Sequence, residues 1–503
     1  MLVVVFDFRL YKKGVVNIKN KEIWFITGSQ HLYGLEVIKQ VERNSKQLVD
    51  GLSDKLSVSL VFEQVVTTSD EITSLLKQAN ASDDCIGIIT WCHTFSPSKM
   101  WINGLSILQK PWLQLHTQFN KTIPKDIDMD FMNLNQAAHG DREHGFIGTR
   151  MKKERAIVVG HWESKSVQKQ ISDWTKLALA IDLSQNLRIV RFGDNMRHVA
   201  VTEGDKIETQ ITLGWQVNTH AVGDLVKYVD VVTENEIDEV YKGYEQLYTI
   251  DTDNIDHVRY QAKLQIAIEK FLKDQNANAF TTTFEDLHGL EQLPGLAVQE
   301  LMRKGYGFGG EGDWKTAGLT YLLKVMADNK DTSFMEDYTY ELSEHNELVL
   351  GSHMLEICPT IATDEKKPSI QVHPLGIGAK KDPARIVFDA KIGEGMVISL
   401  VDMGGRLRCI ANDFVAQKPP HMPNLPVARV FYKPMPNLST GATAWITAGG
   451  SHHTVLTYAI TSEQVNQFCE YMGIEFIHIN KNTTITELKK ELRYNNVSYK
   501  LGL

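Results

Sequence analysis

Four short segments carry the side chains that could do chemistry. Glu311 lies in GGEGDWKT between Gly310 and Gly312, and glycines at those positions let the backbone approach a ligand closely. Glu336 and Asp337 sit side by side in Phe334-Met335-Glu336-Asp337-Tyr338. In such an apolar, aromatic setting a carboxylate carries a desolvation cost unless it pairs or binds a metal. His353 follows Leu350-Gly351-Ser352, and His452 and His453 follow Ala448-Gly449-Gly450-Ser451, after an apolar run that reads as a strand. Two glutamates and two histidines in glycine-flanked loops fit a divalent cation site with mixed nitrogen and oxygen donors. Sequence leaves open which of His452 and His453 faces the cation. Carboxylate and water ligands suit manganese or magnesium, and imidazole moves the preference away from magnesium. No HExxH helix and no set of cysteines competes as a metal site.

Such a site has a chemical use in aldose–ketose isomerisation, which moves a proton between adjacent carbons. Two carboxylates can share the acid–base work on the carbon and the oxygens. A bound cation polarises the carbonyl and stabilises the charge of the developing enediolate. A competing motif is Gly305-Tyr306-Gly307-Phe308-Gly309-Gly310, which matches GxGxxG. A dinucleotide site needs that motif directly after a strand and opening a helix. Here a helical pattern, Leu296 to Lys304, precedes it, so the glycines read as a helix stop and a tight loop presenting Glu311.

The elements that must position these residues fall into three stretches. The first third alternates strand and helix patterns. Strands are expected at Ile23 to Thr27, Val58 to Val66, Ile86 to Trp91, Trp112 to His116 and Ala156 to Val159, with a helix from Leu35 to Leu52 and another near Asp70 capped by Ser69. This rhythm predicts a parallel sheet covered by helices. A second α/β stretch starts at Leu187 to Phe192. It has helical patterns at Glu234 to Tyr248, His257 to Leu272, Leu296 to Lys304 and Trp314 to Met326, and a strand at Ala279 to Phe284. Beyond about residue 330, short β-rich runs dominate, at Leu348 to Leu350, Ile370 to Val372, Arg385 to Phe388, Met396 to Val401, Ala428 to Tyr432 and Ala444 to Thr447. They predict a mostly antiparallel barrel or sandwich. A last helical pattern, Glu463 to Met472, leads to the C-terminus. The expected division is 1–186, 187–330 and 331–503.

Composition narrows the function classes. The net charge of -9 comes without any basic block, which argues against nucleic acid as a partner. No run of apolar residues is long enough for a membrane-spanning helix. The five cysteines are odd in number and lack CxxC spacing, which points to a reducing, cytoplasmic setting rather than a disulfide framework. MLVVVFDF precedes its basic residues Arg9, Lys12 and Lys13, the reverse of a signal peptide, so no targeting segment is expected.

From about Glu22 onward the chain resembles the L-arabinose isomerase family. The resemblance rests on TGSQHLYG from Thr27, HTFSPSKMWINGL from His93, QLHTQFN from Gln114, MDFMNLNQAAHGDREHGFIG from Met129 and RFGDNMR from Arg191. FTTTFEDLHGLEQLPGLAVQ from Phe280, GFGGEGDWKTA, TSFMEDYTY, LVLGSHMLEICP and AWITAGGSHHT continue it. It implies two doubly wound, flavodoxin- or Rossmann-like α/β domains followed by a β-barrel-like C-terminal domain. It also implies interconversion of L-arabinose and L-ribulose, the first step of L-arabinose catabolism, and one Mn²⁺ per subunit with Co²⁺ or Mg²⁺ as substitutes. The implied assembly is a homohexamer of two trimers with active sites between subunits.

Carried onto this chain, Glu311, Glu336, His353 and His453 resemble the metal ligands, and Glu311 and Glu336 also the acid–base pair. Gln30, Tyr33, Gln136, His139, Met196, Phe284, Tyr338 and His452 resemble sugar-pocket positions, and Glu356 matches a further acid of the family's site. Residues 1 to about 15 have no counterpart and are expected to be a dispensable extension, with the natural start near Val15 or Val16. Gly318 stands where the resemblance implies Ala. An L-fucose-isomerase-like enzyme is the alternative of the same fold. A non-enzymatic sugar-binding protein would not need the four proposed ligands together, and a dehydrogenase would rest on the glycine motif alone.

Overall fold

The computed structural model describes residues 20–502, so the expected N-terminal extension lies outside the described residues. The chain divides into two compact units, residues 1–182 and 183–503. Among the described residues no helix is long and apolar enough to cross a membrane.

The first unit is built on five parallel strands: β1 (Glu22–Gly28), β2 (Ser59–Val66), β3 (Cys85–Cys92), β4 (Trp112–His116) and β5 (Ala156–Val159), in the order β2-β1-β3-β4-β5. β3 is buried along its whole length, which is why it reads as an unbroken apolar run rather than an alternation. The order reverses between β1 and β3, and such a reversal opens a crevice at the carboxyl ends of the strands. Helix Leu35–Ser53 follows β1 as expected. The next helix, Ser69–Ala81, is capped by Thr68 and not by Ser69. Thr68 and Glu71 form a reciprocal capping box, which outcompetes a serine one position later.

The second unit opens with a parallel sheet of β6 (Arg188–Phe192), β7 (Gln216–His220), β9 (Ala279–Thr282) and β10 (Gly307–Gly309), ordered β10-β9-β6-β7. The short β8 (Thr249–Ile250) pairs instead with β13 (Ser369–Val372), which in turn pairs with β14 (Ala384–Val387). The remaining strands are β11 (Thr332–Glu341), β12 (Leu348–Ser352), β15 (Gly393–Asp402), β16 (Leu407–Gln417), β17 (Arg429–Pro434), β18 (His453–Thr457) and β19 (Glu475–Ile479). Six of them close on themselves in the order β15-β18-β11-β12-β17-β16, with β16 pairing back to β15, so the C-terminal part is a closed antiparallel barrel. β19 adds to β16 in parallel.

Three local expectations are corrected. Residues Ala444 to Thr447 are helical, inside Leu438–Ala448. A short apolar β-branched run cannot be told from a strand by periodicity; the deciding signals are the Asn437 N-cap and Gly449, which ends the helix at φ 85°. The glycine-rich run is not all loop. Gly305 does stop the preceding helix, at φ 105°, but Gly307–Gly309 is the edge strand β10. The chain also continues past Met472 into β19 and a helix, Ile485–Leu501.

Helix Trp314–Met326 is buried on every side, packed between the parallel sheet and the barrel. A Cβ on Gly307 would lie 2.2 Å from the Ala317 carbonyl, and one on Gly309 would lie 2.3 Å from that of Asp313. The glycines therefore serve close strand–helix packing. Gly318, on the same helix, faces the buried Trp215 ring, which a Cβ would approach to 2.5 Å. Trp215 is held by a 2.8 Å hydrogen bond from its Nε1 to Ser184 Oγ. Helix propensity alone favours Ala over Gly by about 1 kcal/mol. Overpacking costs about 1–3 kcal/mol and reverses that sign. Gly318→Ala is expected to lower the calorimetric melting temperature; an unchanged or higher value would show that the Trp215 ring can move aside.

Candidate active site

The carboxyl ends of parallel strands supply one set of functional side chains. In the first unit, Gln30 and Tyr33 follow β1 at the β1/β3 reversal. Gln136 donates from Nε2 to the Tyr33 hydroxyl at 2.9 Å, and His139 stacks on Phe95 with ring centres 5.2 Å apart. Ser29 Oγ and Thr94 Oγ1, bonded at 2.8 Å, tie the two loops together. The four expected residues of this unit thus gather at one sheet edge.

In the second unit the same rule places Met196 after β6, Phe284 after β9 and Glu311 after β10. Arg197 bridges the first two loops, with Nη1 2.8 Å from Glu285 and Nη2 2.7 Å from Asp286. The Met196 amide donates to the Glu311 carbonyl at 2.9 Å. Glu311 itself has φ 59°, a left-handed conformation that is uncommon for a residue with a side chain and characteristic of functional loops.

The barrel supplies the rest. β11 lies between β12 and β18, and the register sets Glu336 opposite His453 on one side and Ser352 on the other. His353 follows β12 directly. Successive residues of a strand face opposite ways, and this resolves the Glu336–Asp337 pair. Asp337 accepts a hydrogen bond from the Tyr432 hydroxyl, and burial pushes its carboxyl up to about 6. Glu336 points toward His353, Oε2 to Nε2 3.7 Å. Tyr338, half exposed, sits where the β11–β12 register slips by a bulge.

Ligand-capable atoms of Glu311, His353 and His453 all lie within 4.8 Å of one another. The buried Phe334 ring underlies the cluster, edge-on to both His353 and His453 at 5.1 and 5.3 Å. Phe284 stacks against His353 at 6.2 Å. Each histidine has a carboxylate on Nδ1: Glu356 at 2.5 Å for His353 and Asp313 at 3.2 Å for His453. That leaves the Nε2 atoms for the cluster, and His453 Nε2 is buried without a hydrogen-bond partner. Such an atom, facing a carboxylate and a second imidazole, could take a cation as its partner. A Cβ on Gly310 would lie 3.3 Å from His353 Nε2, so glycine keeps the space beside that atom open. The donor set of two imidazoles and one or two carboxylates suits a borderline divalent ion.

The neighbouring His452 differs from His453. Its side chain is 37% exposed against 0%, and its Nε2 lies 3.8 Å from Glu311 Oε2. Burial raises Glu311, but the neighbouring imidazoles of His452, His453 and His353 outweigh it and hold the carboxyl below its ordinary value. Burial alone would depress His353; Glu356, with Glu336 and Glu311 behind it, lifts it to about 9. Sequence reading missed Asp313 and the Phe334 platform. Asp313 had a signal, an Asp three residues before Thr316 at a helix start, and it does cap that helix.

The chain matches the L-arabinose isomerase N-terminal domain family over residues 17–186, the central domain family over 188–329 and the C-terminal domain family over 331–475. It is 54% identical to the L-arabinose isomerase of Geobacillus stearothermophilus over 97% of this chain and 100% of that protein. It is likewise 54% identical to that of Clostridium beijerinckii over 97% and 100%, and 53% identical to that of Thermotoga petrophila over 97% and 99%.

Proposed function

The chain belongs to the L-arabinose isomerase family, and from that premise we propose that Glu311, Glu336, His353 and His453 form the manganese centre at which it interconverts L-arabinose and L-ribulose. The enzyme is an aldose–ketose isomerase. The observation that carries the site is the convergence of Glu311, His353 and His453 on one space, with the buried Nε2 of His453 left unpartnered. Mn²⁺ is the proposed ion, with Co²⁺ or Mg²⁺ as substitutes, because the donors mix imidazole and carboxylate. When bound, the cation supplies Lewis-acid polarisation of the sugar carbonyl and charge stabilisation at the adjacent oxygens.

The chain's own residues do the remaining work. One carboxylate of the Glu311–Glu336 pair takes the proton from C2 of the aldose and returns it to C1. The other serves the hydroxyl proton that passes from O2 to O1, so the atoms balance without any external oxidant or reductant. Glu356 and Asp313 fix the two imidazole rings. Phe334 and Phe284 give the site a dry wall, which strengthens electrostatic effects inside it. His452, Tyr338, Met196 and Phe284 of the second unit are proposed to line a sugar pocket beside the cluster, and Gln30, Tyr33, Gln136 and His139 are proposed as the sugar-binding positions of the first unit. The proposed assembly is a homohexamer of two trimers with active sites between subunits. The proposed domain division is 1–186, 187–330 and 331–503, and the proposed compartment is the cytoplasm, in keeping with five free, buried cysteines.

A ketose assay with L-arabinose, L-fucose and D-galactose, run with and without Mn²⁺, tests the reading. L-Arabinose is expected to be the best substrate, with slow turnover of D-galactose, which shares the configuration around the reacting carbons. Faster turnover of L-fucose would overturn the substrate assignment. The adjacent histidines are separable by metal titration. His453→Ala is expected to weaken Mn²⁺ binding, with partial rescue by more metal, whereas His452→Ala raises KM for the sugar more than it weakens Mn²⁺. The reverse pattern would exchange their roles.

A further inference from the structure

We propose that Asp313, anchored by the buried Lys315, is the positioning residue that holds His453 with Nε2 turned toward the cation. The inference rests on His453 being a metal ligand and adds the device that makes it one.

A neutral imidazole carries one N–H, and the partner of one nitrogen decides what the other can do. An ionised carboxylate only accepts. Asp313 Oδ2, 3.2 Å from His453 Nδ1, therefore keeps the proton on Nδ1 and the lone pair on Nε2. The carboxylate has no freedom to swing away. Its Oδ2 also accepts from Thr316 Oγ1 at 2.7 Å, and its Oδ1 from Lys315 Nζ at 3.1 Å and the Thr316 amide at 3.3 Å. The backbone just before it is equally constrained, because Gly312 has φ 80° and a Cβ there would lie 2.5 Å from Asn195 Cα.

Lys315 is itself fully buried. Its ammonium donates to the carbonyls of Thr202 at 2.9 Å and Glu203 at 2.7 Å as well as to Asp313. A buried ion pair of this kind is seldom more stabilising than apolar packing of the same volume. A helix N-cap needs only a hydroxyl or a carboxylate, not a buried ammonium behind it. What the pair does supply is a fixed acceptor against Nδ1, which orients the ring and leaves Nε2 turned toward the cluster. Outer carboxylates in this position typically contribute about 10- to 100-fold to metal affinity.

The test is a double-mutant cycle read by Mn²⁺ titration calorimetry and by the electron paramagnetic resonance of bound Mn²⁺, on the full chain. Asp313→Asn is expected to weaken Mn²⁺ about 10- to 100-fold, and to add almost nothing in a His453→Ala background. Thr316→Val removes the 2.7 Å hydrogen bond to Oδ2 without removing the charge. It is expected to weaken Mn²⁺ a few-fold, again only when His453 is present, and it covers the case in which Asp313→Asn does not fold. A purely structural role would lower the melting temperature of the metal-free protein equally in both backgrounds and leave Mn²⁺ affinity alone, which would overturn the proposal. Losses that multiply in the double variants would overturn it too. If His453→Ala binds Mn²⁺ as tightly as the parent, the ligand assignment itself is wrong; that result is distinct from tight binding by Asp313→Asn alone.

Discussion

Glu336→Gln is expected to lower kcat by about 10²- to 10⁴-fold while the protein still folds and assembles. The residue lies inside β11, where the ladder to β12 and β18 fixes its backbone whatever the side chain. Gln has nearly the shape of Glu and still offers a carbonyl oxygen to a cation, so little packing is lost. An amide has no useful basicity near neutral pH and cannot carry the proton between C1 and C2. Removing one negative charge from the cluster also weakens metal binding, so kinetics belong at saturating Mn²⁺, with circular dichroism as the folding control. Glu311→Gln is expected to behave similarly, because the two carboxylates flank the same space. A kcat within a few-fold of the parent at saturating metal would remove Glu336 from the acid–base pair.

Exhaustive chelation is expected to abolish turnover, and Mn²⁺ to restore it. Without a cation, His453 Nε2 is buried with nothing to bond, and the carbonyl of the sugar has no electrophile. Metal that binds only the native state also raises the melting temperature, by about 2.7 kcal/mol of stability at a hundredfold excess over Kd. The pH dependence has a definite sign. In the metal-free site the His353 imidazole is lifted to about 9, so at neutral pH a proton occupies the ring and metal must displace it. Affinity should therefore fall as pH is lowered from about 9, by about tenfold per unit for that one proton. Full turnover in a verified metal-free sample, or affinity that rises on acidification, would contradict the site.

Local patterns were enough for the five-stranded parallel sheet of the first unit, because a buried strand and an amphipathic helix each write their period into neighbouring residues; in the second unit β6 and β9 were legible, and β7 was not. The helix Trp314–Met326 and the strands Trp112–His116 and Ala156–Val159 have the bounds that their patterns predict. The four proposed ligands were also visible as residue types, since carboxylates and histidines among glycines and aromatics stand out against a core that would exclude them. Short apolar runs were less informative: Ala444 to Thr447 read as a strand and is a helix, and Gly307–Gly309 read as a loop and is a strand.

By itself, then, the sequence determined the α/β-then-β layout, the cation-ready residue types and the family motifs. Only the tertiary structure decided how those residues meet. Glu336 lies opposite His453 because β11 pairs with β18, more than a hundred positions along the chain, and Asp337 is turned away because strand side chains alternate. Asp313 takes His453 Nδ1 and leaves Nε2 to the cluster, while the adjacent His452 stays partly in solvent. Each of these depends on register and burial between segments distant in sequence. A one-residue slip would exchange every facing side chain, and no local periodicity records which register the closed barrel selects.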